Sequence, residues 1–210
     1  MKKQGTLVVV SGFAGTGKGT VMKELLGRYD SYALSISATT RNPRPGEVDG
    51  REYFFKTKEE FEQMIERDEF VEHACYVGNY YGTPKKYVQE QLTAGKDVIL
   101  EIEIQGALNI KSQFPDALLL FIAPPSADVL KERLVGRGTE TEEVIEQRLA
   151  RAVEESKGIE NYDYLVVNDD LDECVENVHQ MIQSAGWKMS RREADVEELR
   201  RQISKFSKGE

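Results

Sequence analysis

The residues best suited to chemistry lie near the start of the chain, in the segment GFAGTGKGT at positions 12–20. Four residues separate Gly12 from Gly17, Lys18 follows at once, and an apolar run precedes the segment at 6–10. This spacing is typical of a P-loop, in which backbone N–H groups surround a phosphate and the lysine reaches the β- and γ-phosphates of a nucleotide. An ordinary tight turn is the alternative. The order of strand, glycines, lysine and helix favours phosphate binding.

Composition limits the other functions that the chain could have. The 28 basic and 37 acidic residues give a net charge of −9, which disfavours a nucleic-acid partner. Basic residues cluster near 41–51 and 133–151, a pattern that indicates a small polyanionic ligand. No apolar run approaches the ~20 residues that span a bilayer, and the start MKKQG does not resemble a secretory signal. We therefore expect a cytoplasmic protein without a membrane partner, with Cys75 and Cys174 as buried or semi-buried free thiols.

Strand and helix signals alternate along most of the 210 residues. Strands are predicted at 6–10, 53–55, 97–104, 118–123 and 164–167, and helices at 17–29, near 61–65, from 84 to 95, after Ser126, from Thr141 and at 171–185. This alternation predicts parallel strands with crossover helices on both faces of a sheet. The stretch 31–95 interrupts the alternation and is predicted to be an insertion.

The stretch 188–208 has apolar residues at helical spacing among many charges. The pattern predicts a surface helix. The helix packs either on its own domain or against another subunit, so the sequence leaves open whether the protein forms a homo-oligomer.

A second group of residues could bind another phosphate. Arg41 and Arg44 lie three apart in a loop rich in proline and glycine, and guanidinium groups suit a phosphate monoester. Tyr53 and Tyr81 could add hydroxyl donors, and Glu72 lies in the aromatic, glycine-containing segment 70–84. Each residue taken alone is ordinary, because surface arginines mostly face water, tyrosines mostly pack and a single glutamate is usually solvated.

Six segments taken together resemble the guanylate kinase family, in the family's order and over nearly the whole chain. They are the P-loop, TTRNPRPGEVDGREYFF, GNYYGTP, EIEIQGALNIK, RLVGRGTETEEVIEQRLARA and VVNDDL. The resemblance implies an α/β fold with a P-loop nucleoside-monophosphate-kinase core, a parallel sheet with flanking helices, an inserted GMP-binding subdomain and a helical lid. Within a single domain, 1–210, it implies a core at about 1–33, 96–126 and 159–210, the subdomain at about 34–95 and the lid at about 127–158.

The resemblance also implies the reaction and the residues that carry it. The reaction is phosphorylation of GMP, and also of dGMP, by ATP with Mg²⁺, a step of purine nucleotide metabolism. The implied ATP site comprises Gly12, Phe13, Ala14, Gly15, Thr16, Gly17, Lys18, Gly19, Thr20, Arg133, Arg137 and Asn168. The implied GMP site comprises Ser37, Arg41, Arg44, Tyr53, Glu72, Tyr81, Thr83 and Glu103, and the implied catalytic residues are Lys18, Arg41, Arg137 and Arg148.

Glu72 is the residue that would select guanine. The Watson–Crick edge of guanine offers N1–H and N2–H₂ donors to a carboxylate, whereas adenine presents an acceptor there. A buried polar group left unpaired gives discrimination on the order of 10⁴. In this scheme Ser37 also meets the base, and Arg41, Arg44 and the tyrosines hold the phosphate.

The chain departs from the family pattern at a few positions. Phe13-Ala14 replaces the common Pro-Ser, Gly19 replaces a serine, and Glu103 replaces the aspartate of many members. Without a hydroxyl at Gly19, we expect Mg²⁺ coordination that is largely water-mediated, with Thr20 as the candidate protein ligand and help from Glu101. The longer side chain of Glu103 is expected to alter its contact with GMP.

Two rival interpretations remain at this point. One is an interaction module that keeps the fold without phosphoryl transfer, which the retained Lys18 disfavours. The other is a different monophosphate kinase, because GKGT also resembles adenylate kinase. Glu72 and the loop TTRNPRPGE favour guanine over adenine.

Overall fold

A computed structural model describes residues 4–76, 78–136, 138 and 141–207, which form two sheets and their flanking helices. The strands are β1 (Leu7–Ser11), β2 (Tyr32–Leu34), β3 (Ala38–Thr39), β4 (Phe54–Phe55), β5 (Phe70–Tyr76), β6 (Asn79–Pro84), β7 (Asp97–Glu101), β8 (Leu118–Ala123) and β9 (Tyr164–Val167). The helices are α1 (Lys18–Arg28), α2 (Lys58–Glu66), α3 (Lys85–Thr93), α4 (Ile104–Gln113), α5 (Ala127–Gly136), α6 (Glu142–Ser156), α7 (Leu171–Ala185) and α8 (Glu193–Ile203).

The larger sheet has the strand order β2-β7-β1-β8-β9, and all of its pairs are parallel. Its central strand β1 is buried along its whole length, which explains its continuous apolar sequence. Val8 and Val10 pack on the side of α1 and α7, and Leu7 and Val9 pack on the side of α3 and α4. The predicted α/β class, with helices on both faces of a parallel sheet, is confirmed.

The carboxyl ends of the parallel strands meet at one edge of this sheet, where open α/β folds bind ligands. The glycine-rich turn follows β1, Glu101 ends β7 and Asn168 follows β9. The sheet therefore brings together residues that lie far apart in the sequence.

The smaller sheet lies within the predicted insertion and has the order β4-β3-β6-β5. β5 and β6 form an antiparallel hairpin, and β3 joins β6 antiparallel and β4 parallel. Phe61 of α2 is fully buried beneath it, with its ring stacked on Phe70 at 4.4 Å between centroids and on Tyr80 at 5.3 Å. A capping box at Thr57 and Glu60 starts α2. This small aromatic core holds the subdomain that carries Arg41 and Glu72.

One predicted element is wrong in its extent. The strand predicted at 97–104 ends at Glu101, and Glu103 instead caps α4, with its Oε1 accepting from Gly106 N at 3.1 Å. The β-branched Ile102 and Ile104 resemble strand residues, but a carboxylate at an N-cap satisfies free N–H groups and starts a helix. Glu103 therefore begins a helix that the sequence did not predict.

The predicted C-terminal helix forms as α8, and every one of its residues is at least partly exposed. Leu199 and Ile203 are each 55% exposed, and Phe206 beyond them is 85% exposed. Arg191, in the turn before α8, donates a hydrogen bond from Nη2 to Gly5 O, just before β1, at 2.6 Å. The apolar face of α8 is thus only weakly covered by its own domain.

Replacement of Phe61 by alanine should cost about 3–5 kcal/mol of unfolding free energy, because it leaves a cavity between two stacked rings. Chemical denaturation followed by circular dichroism measures this loss. The matched control is Phe206→Ala, which removes an exposed ring and should change stability by less than about 0.5 kcal/mol. Equal effects of the two substitutions would contradict the assigned core.

Candidate nucleotide-binding site

The turn after β1 has the backbone geometry of a phosphate-binding loop. Gly17 adopts a left-handed conformation (φ 86°) at the N-terminus of α1, and Lys18 is the first helical residue. A Cβ at Gly12 would lie 2.2 Å from the Ile122 carbonyl oxygen, so only glycine fits between β1 and the end of β8. The helix N-terminus and the turn therefore present backbone N–H groups at one place, as an anion requires.

Side chains from neighbouring elements brace this loop. Asn168 is buried, and its Nδ2 donates to Thr16 O at 2.7 Å across 152 residues of sequence. Thr16 Oγ1 donates to Phe13 O at 3.0 Å. The resemblance assigns Asn168 to ATP, and the structure shows it in contact with the loop itself.

Lys18 lies over the loop, with Nζ donating to Gly12 O at 2.5 Å and to Phe13 O at 3.0 Å. Glu101 lies near it at the end of β7. Desolvation raises the pKa of the Glu101 carboxyl, and the charge of Lys18 lowers it. Gly19 and Thr20 are exposed on the first turn of α1. A lysine, a carboxylate and a hydroxyl are therefore available at the same edge.

A second candidate anion site, the Arg41 cluster, consists of Arg41, Tyr53 and Tyr81, with Arg41 in the loop between β3 and β4. Its guanidinium carbon lies 5.3 Å from the ring centroid of Tyr53, and Tyr81 also interacts with this guanidinium. The rings of Tyr53 and Tyr81 lie 6.1 Å apart, centroid to centroid. Burial raises the pKa of Tyr53, so its hydroxyl stays a donor at neutral pH. Arg44 is exposed on the same loop.

Glu72 is a buried carboxylate on the hairpin beside this cluster, with 8% of the residue exposed. Its Oε1 accepts a hydrogen bond from Thr83 Oγ1 at 2.8 Å, which joins two predicted GMP-site residues. Burial raises the pKa of Glu72, the Thr83 hydrogen bond lowers it, and the charge of Glu103 raises it further. Ser37 lies immediately before β3, and its carbonyl accepts from Phe54 N at 2.9 Å.

The charge of Glu101 acts on one residue of each candidate site. Its charge raises the pKa of Tyr53, and Lys18 acts on Glu101 in turn. The P-loop lysine and Tyr53 therefore both lie within electrostatic range of this carboxylate.

The structure describes two of the three arginines predicted for the lid, Arg133 and Arg148. Arg133 on α5 and Arg148 on α6 are both half-buried. Arg137 lies outside the described residues. A Cβ at Gly15 would lie 2.9 Å from Leu134 Cδ2, so α5 packs directly against the P-loop. Arg151 of α6 lies 3.7 Å from Glu103, which links α6 to the start of α4.

Sequence reasoning missed one residue of this site, Glu47. Both of its carboxylate oxygens lie near Arg41 Nη2, at 2.9 and 3.0 Å, and Oε2 also accepts from Arg44 N at 2.7 Å. A glutamate six positions after Arg41, in a loop of proline and glycine, is the only signal in the sequence.

Within the described ranges, no group of three or more His, Cys, Asp and Glu side chains is arranged to hold a metal ion. Over the same residues, no helix has both the length and the apolar character to cross a membrane. Cys75 is an exposed free thiol and Cys174 a buried one.

The sequence matches the family model for guanylate kinase over residues 4–185. The chain belongs to the guanylate kinase family. A guanylate kinase of Streptococcus thermophilus is 50% identical over 192 residues, which cover 91% of this chain and 92% of that relative. The guanylate kinase of Caldanaerobacter subterraneus subsp. tengcongensis is 52% identical over 182 residues, or 87% and 88% of the two chains.

A solved structure leads to the same family. The crystal structure of guanylate kinase from Anaplasma phagocytophilum has a TM-score of 0.73 and 31% identity, and the similarity covers 90% of each chain. The resemblance that six segments predicted is therefore confirmed for the family and for the fold. The roles of individual residues stay predictions.

Replacement of Glu72 by glutamine should stabilise the protein at neutral pH. Because the folded state raises the pKa of this carboxyl, its ionisation opposes folding, and the cost grows as the pH rises above the normal carboxyl range. A gain on the order of 1 kcal/mol at neutral pH, shrinking towards about pH 4, is expected.

Denaturation curves over this pH range measure the gain, with the exposed Glu90→Gln as the control. A variant at position 72 that is less stable than wild type at neutral pH, or that gains most in acid, would contradict the assignment.

Proposed function

We propose that this chain transfers the γ-phosphoryl group of ATP to GMP, giving ADP and GDP. The observation that carries the proposal is the combination of a P-loop at the carboxyl edge of the larger sheet with a second cationic site on the smaller sheet, next to a buried carboxylate. The P-loop suits the donor, the Arg41 cluster suits the phosphate of the acceptor, and Glu72 suits guanine.

The geometry supports a mechanism based on positioning and charge. The phosphate oxygens of GMP are already ionised at neutral pH, so the attacking oxygen needs no strong general base. The P-loop backbone and Lys18 hold the β- and γ-phosphates, while Arg41 and Arg44 hold the acceptor phosphate. Catalysis then consists of aligning the two groups in line and stabilising the charge of the transferring group. Arg133, Arg137 and Arg148 are the proposed lid groups that close over it.

Glu72 is proposed to read the base. Its Oε1 already accepts from Thr83, and its ionised carboxylate retains capacity for the two donors of guanine. Adenine would leave a buried carboxylate facing an acceptor, which is costly in a site of low polarity. Ser37 is proposed to contact the base as well, with Glu103 nearby at the start of α4.

The residues at this edge fit a largely hydrated Mg²⁺. Magnesium prefers oxygen ligands and keeps several waters, and the side chains available are the Thr20 hydroxyl and the Glu101 carboxylate. Bound with ATP, Mg²⁺ would neutralise part of the charge of the phosphates. Thr20 and Glu101 would hold its waters.

Several finer assignments belong to the same proposal. The core, the GMP-binding subdomain and the lid are proposed to move relative to one another within the boundaries predicted from the sequence. Use of dGMP, a cytoplasmic location and the absence of a nucleic-acid partner remain predictions. A homo-oligomer also remains a proposal, which the exposed apolar side chains Leu199 and Ile203 of α8 support.

A coupled assay of ADP release tests the substrate. With ATP and Mg²⁺ present, GMP should be preferred over AMP, CMP and UMP by a factor on the order of 10⁴ in kcat/KM, because of the unpaired groups that the wrong base leaves. Preference for AMP would overturn the guanine assignment and leave the kinase class intact. Absence of ADP release with every acceptor would favour an interaction module.

A further inference from the structure

We propose that Glu47 is a positioning residue that sets the affinity for the acceptor phosphate, by fixing both Arg41 and Arg44. The inference rests on the proposed function, since it assumes that these arginines bind the phosphate of GMP. It assigns a role to a residue that does not itself touch the substrate.

The Glu47 carboxylate contacts both arginines, Arg41 through its side chain and Arg44 through its backbone. Its oxygens lie 2.9 and 3.0 Å from Nη2 of the Arg41 side chain. One of them also accepts from the backbone N–H of Arg44 at 2.7 Å. Glu47 therefore fixes the direction of one guanidinium group and the path of the backbone that carries the other.

Other contacts further restrict the orientation of the Arg41 guanidinium. Nη1 donates to Asn42 O at 2.7 Å, and the guanidinium carbon lies 5.3 Å and 5.9 Å from the ring centroids of Tyr53 and Phe55. Together with Glu47, these contacts surround the guanidinium with a carbonyl, two rings and a carboxylate. A group held on several sides loses little freedom when a phosphate binds, which lowers the cost of binding.

The Arg41–Glu47 pair is shielded from solvent, unlike the Arg51–Glu52 pair of the same loop. Its side chains are 16% and 17% exposed, whereas those of Arg51 and Glu52 are 63% and 34% exposed. The hydrogen bond from Arg41, followed by that from the Arg44 backbone, lowers the pKa of Glu47 and keeps it ionised at neutral pH. Exposed pairs contribute little because water screens them, so the shielded pair is the one expected to affect binding.

A carboxylate beside a phosphate site has two opposing effects. Its negative charge weakens the attraction for a phosphate, and its hydrogen bonds orient the donors that bind one. Hydrogen bonds to charged groups are strong, and misplaced donors lose much of their value. The proposal holds that orientation dominates, so removal of Glu47 should weaken GMP binding.

The experiment compares Glu47→Ala and Glu47→Gln with wild type in steady-state kinetics for both substrates. The KM for GMP should rise by about 10–100-fold in Glu47→Ala and by a smaller factor in Glu47→Gln, whose amide oxygen can still accept from Arg44 N. The KM for ATP should change by less than about twofold, and kcat should fall less than the KM for GMP rises.

Glu52→Gln is the matched control. Glu52 also pairs with an arginine, Arg51, and accepts from a backbone N–H, that of Val48 at 2.7 Å. It lies in the same loop but serves no residue assigned to the phosphate. The KM for GMP should be unchanged in this variant. Thermal melting of all variants verifies that they fold.

A second comparison tests whether Glu47 acts through Arg41. In an Arg41→Met background, Glu47→Ala should raise the KM for GMP by much less than it does in wild type, because only the contact with Arg44 remains to be lost. Equal effects in both backgrounds would overturn the part of the inference that involves Arg41.

Other outcomes are equally decisive. A KM for GMP that falls in Glu47→Ala would show that charge repulsion dominates, and one that changes equally for GMP and ATP would indicate a general structural role; either overturns the inference. Wild-type enzyme that fails to bind GMP in calorimetry would overturn the proposed function itself. Normal wild-type binding with unaffected Glu47 variants would overturn only the inference.

Discussion

The close packing of the turn after β1 against the end of β8 is the constraint on which the P-loop depends. At Gly12 a side chain would collide with the Ile122 carbonyl, and at Gly17 it would lie 2.7 Å from Asn168 Nδ2. The path of the loop is therefore restricted by the end of β8, by Asn168 after β9 and by α5. A rigid path lets backbone N–H groups hold a phosphate without rearranging when it arrives.

The smaller sheet, which carries the proposed GMP site, is stabilised in a different way. Its sheet is small and depends on the stacked rings of Phe61, Phe70 and Tyr80 rather than on a large core. This sheet carries Arg41, which is paired with Glu47, and the buried Glu72, whose pKa is raised by its burial. Polar groups that are expensive to bury are expected where they recognise a ligand. The charge of Glu101 raises the pKa of Tyr53, and the charge of Lys18 lowers the pKa of Glu101.

The strands and the glycine-rich loop could be predicted from the sequence because they depend on local patterns. Features that depend on tertiary contacts or capping could not. The apolar runs identified β1 and β8, because strands buried on both faces leave a continuous signal, and the glycine spacing identified the loop. The strand at 97–104 was predicted too long, since capping by Glu103 overrides the β-propensity of its neighbours. Glu47 was missed because a glutamate in a polar loop is ordinary until folding places it against Arg41.

The central claim is that the P-loop and the Arg41 cluster form one site for two nucleotides. Calorimetric binding of adenosine and guanosine joined through five phosphates tests it most directly, since one ligand then carries both halves. We expect an affinity at least about 100-fold tighter than that of ADP or GMP alone, and large losses in both Lys18→Ala and Arg44→Ala. Affinity no better than that of the tighter single nucleotide, or a loss in only one of the two variants, would contradict it.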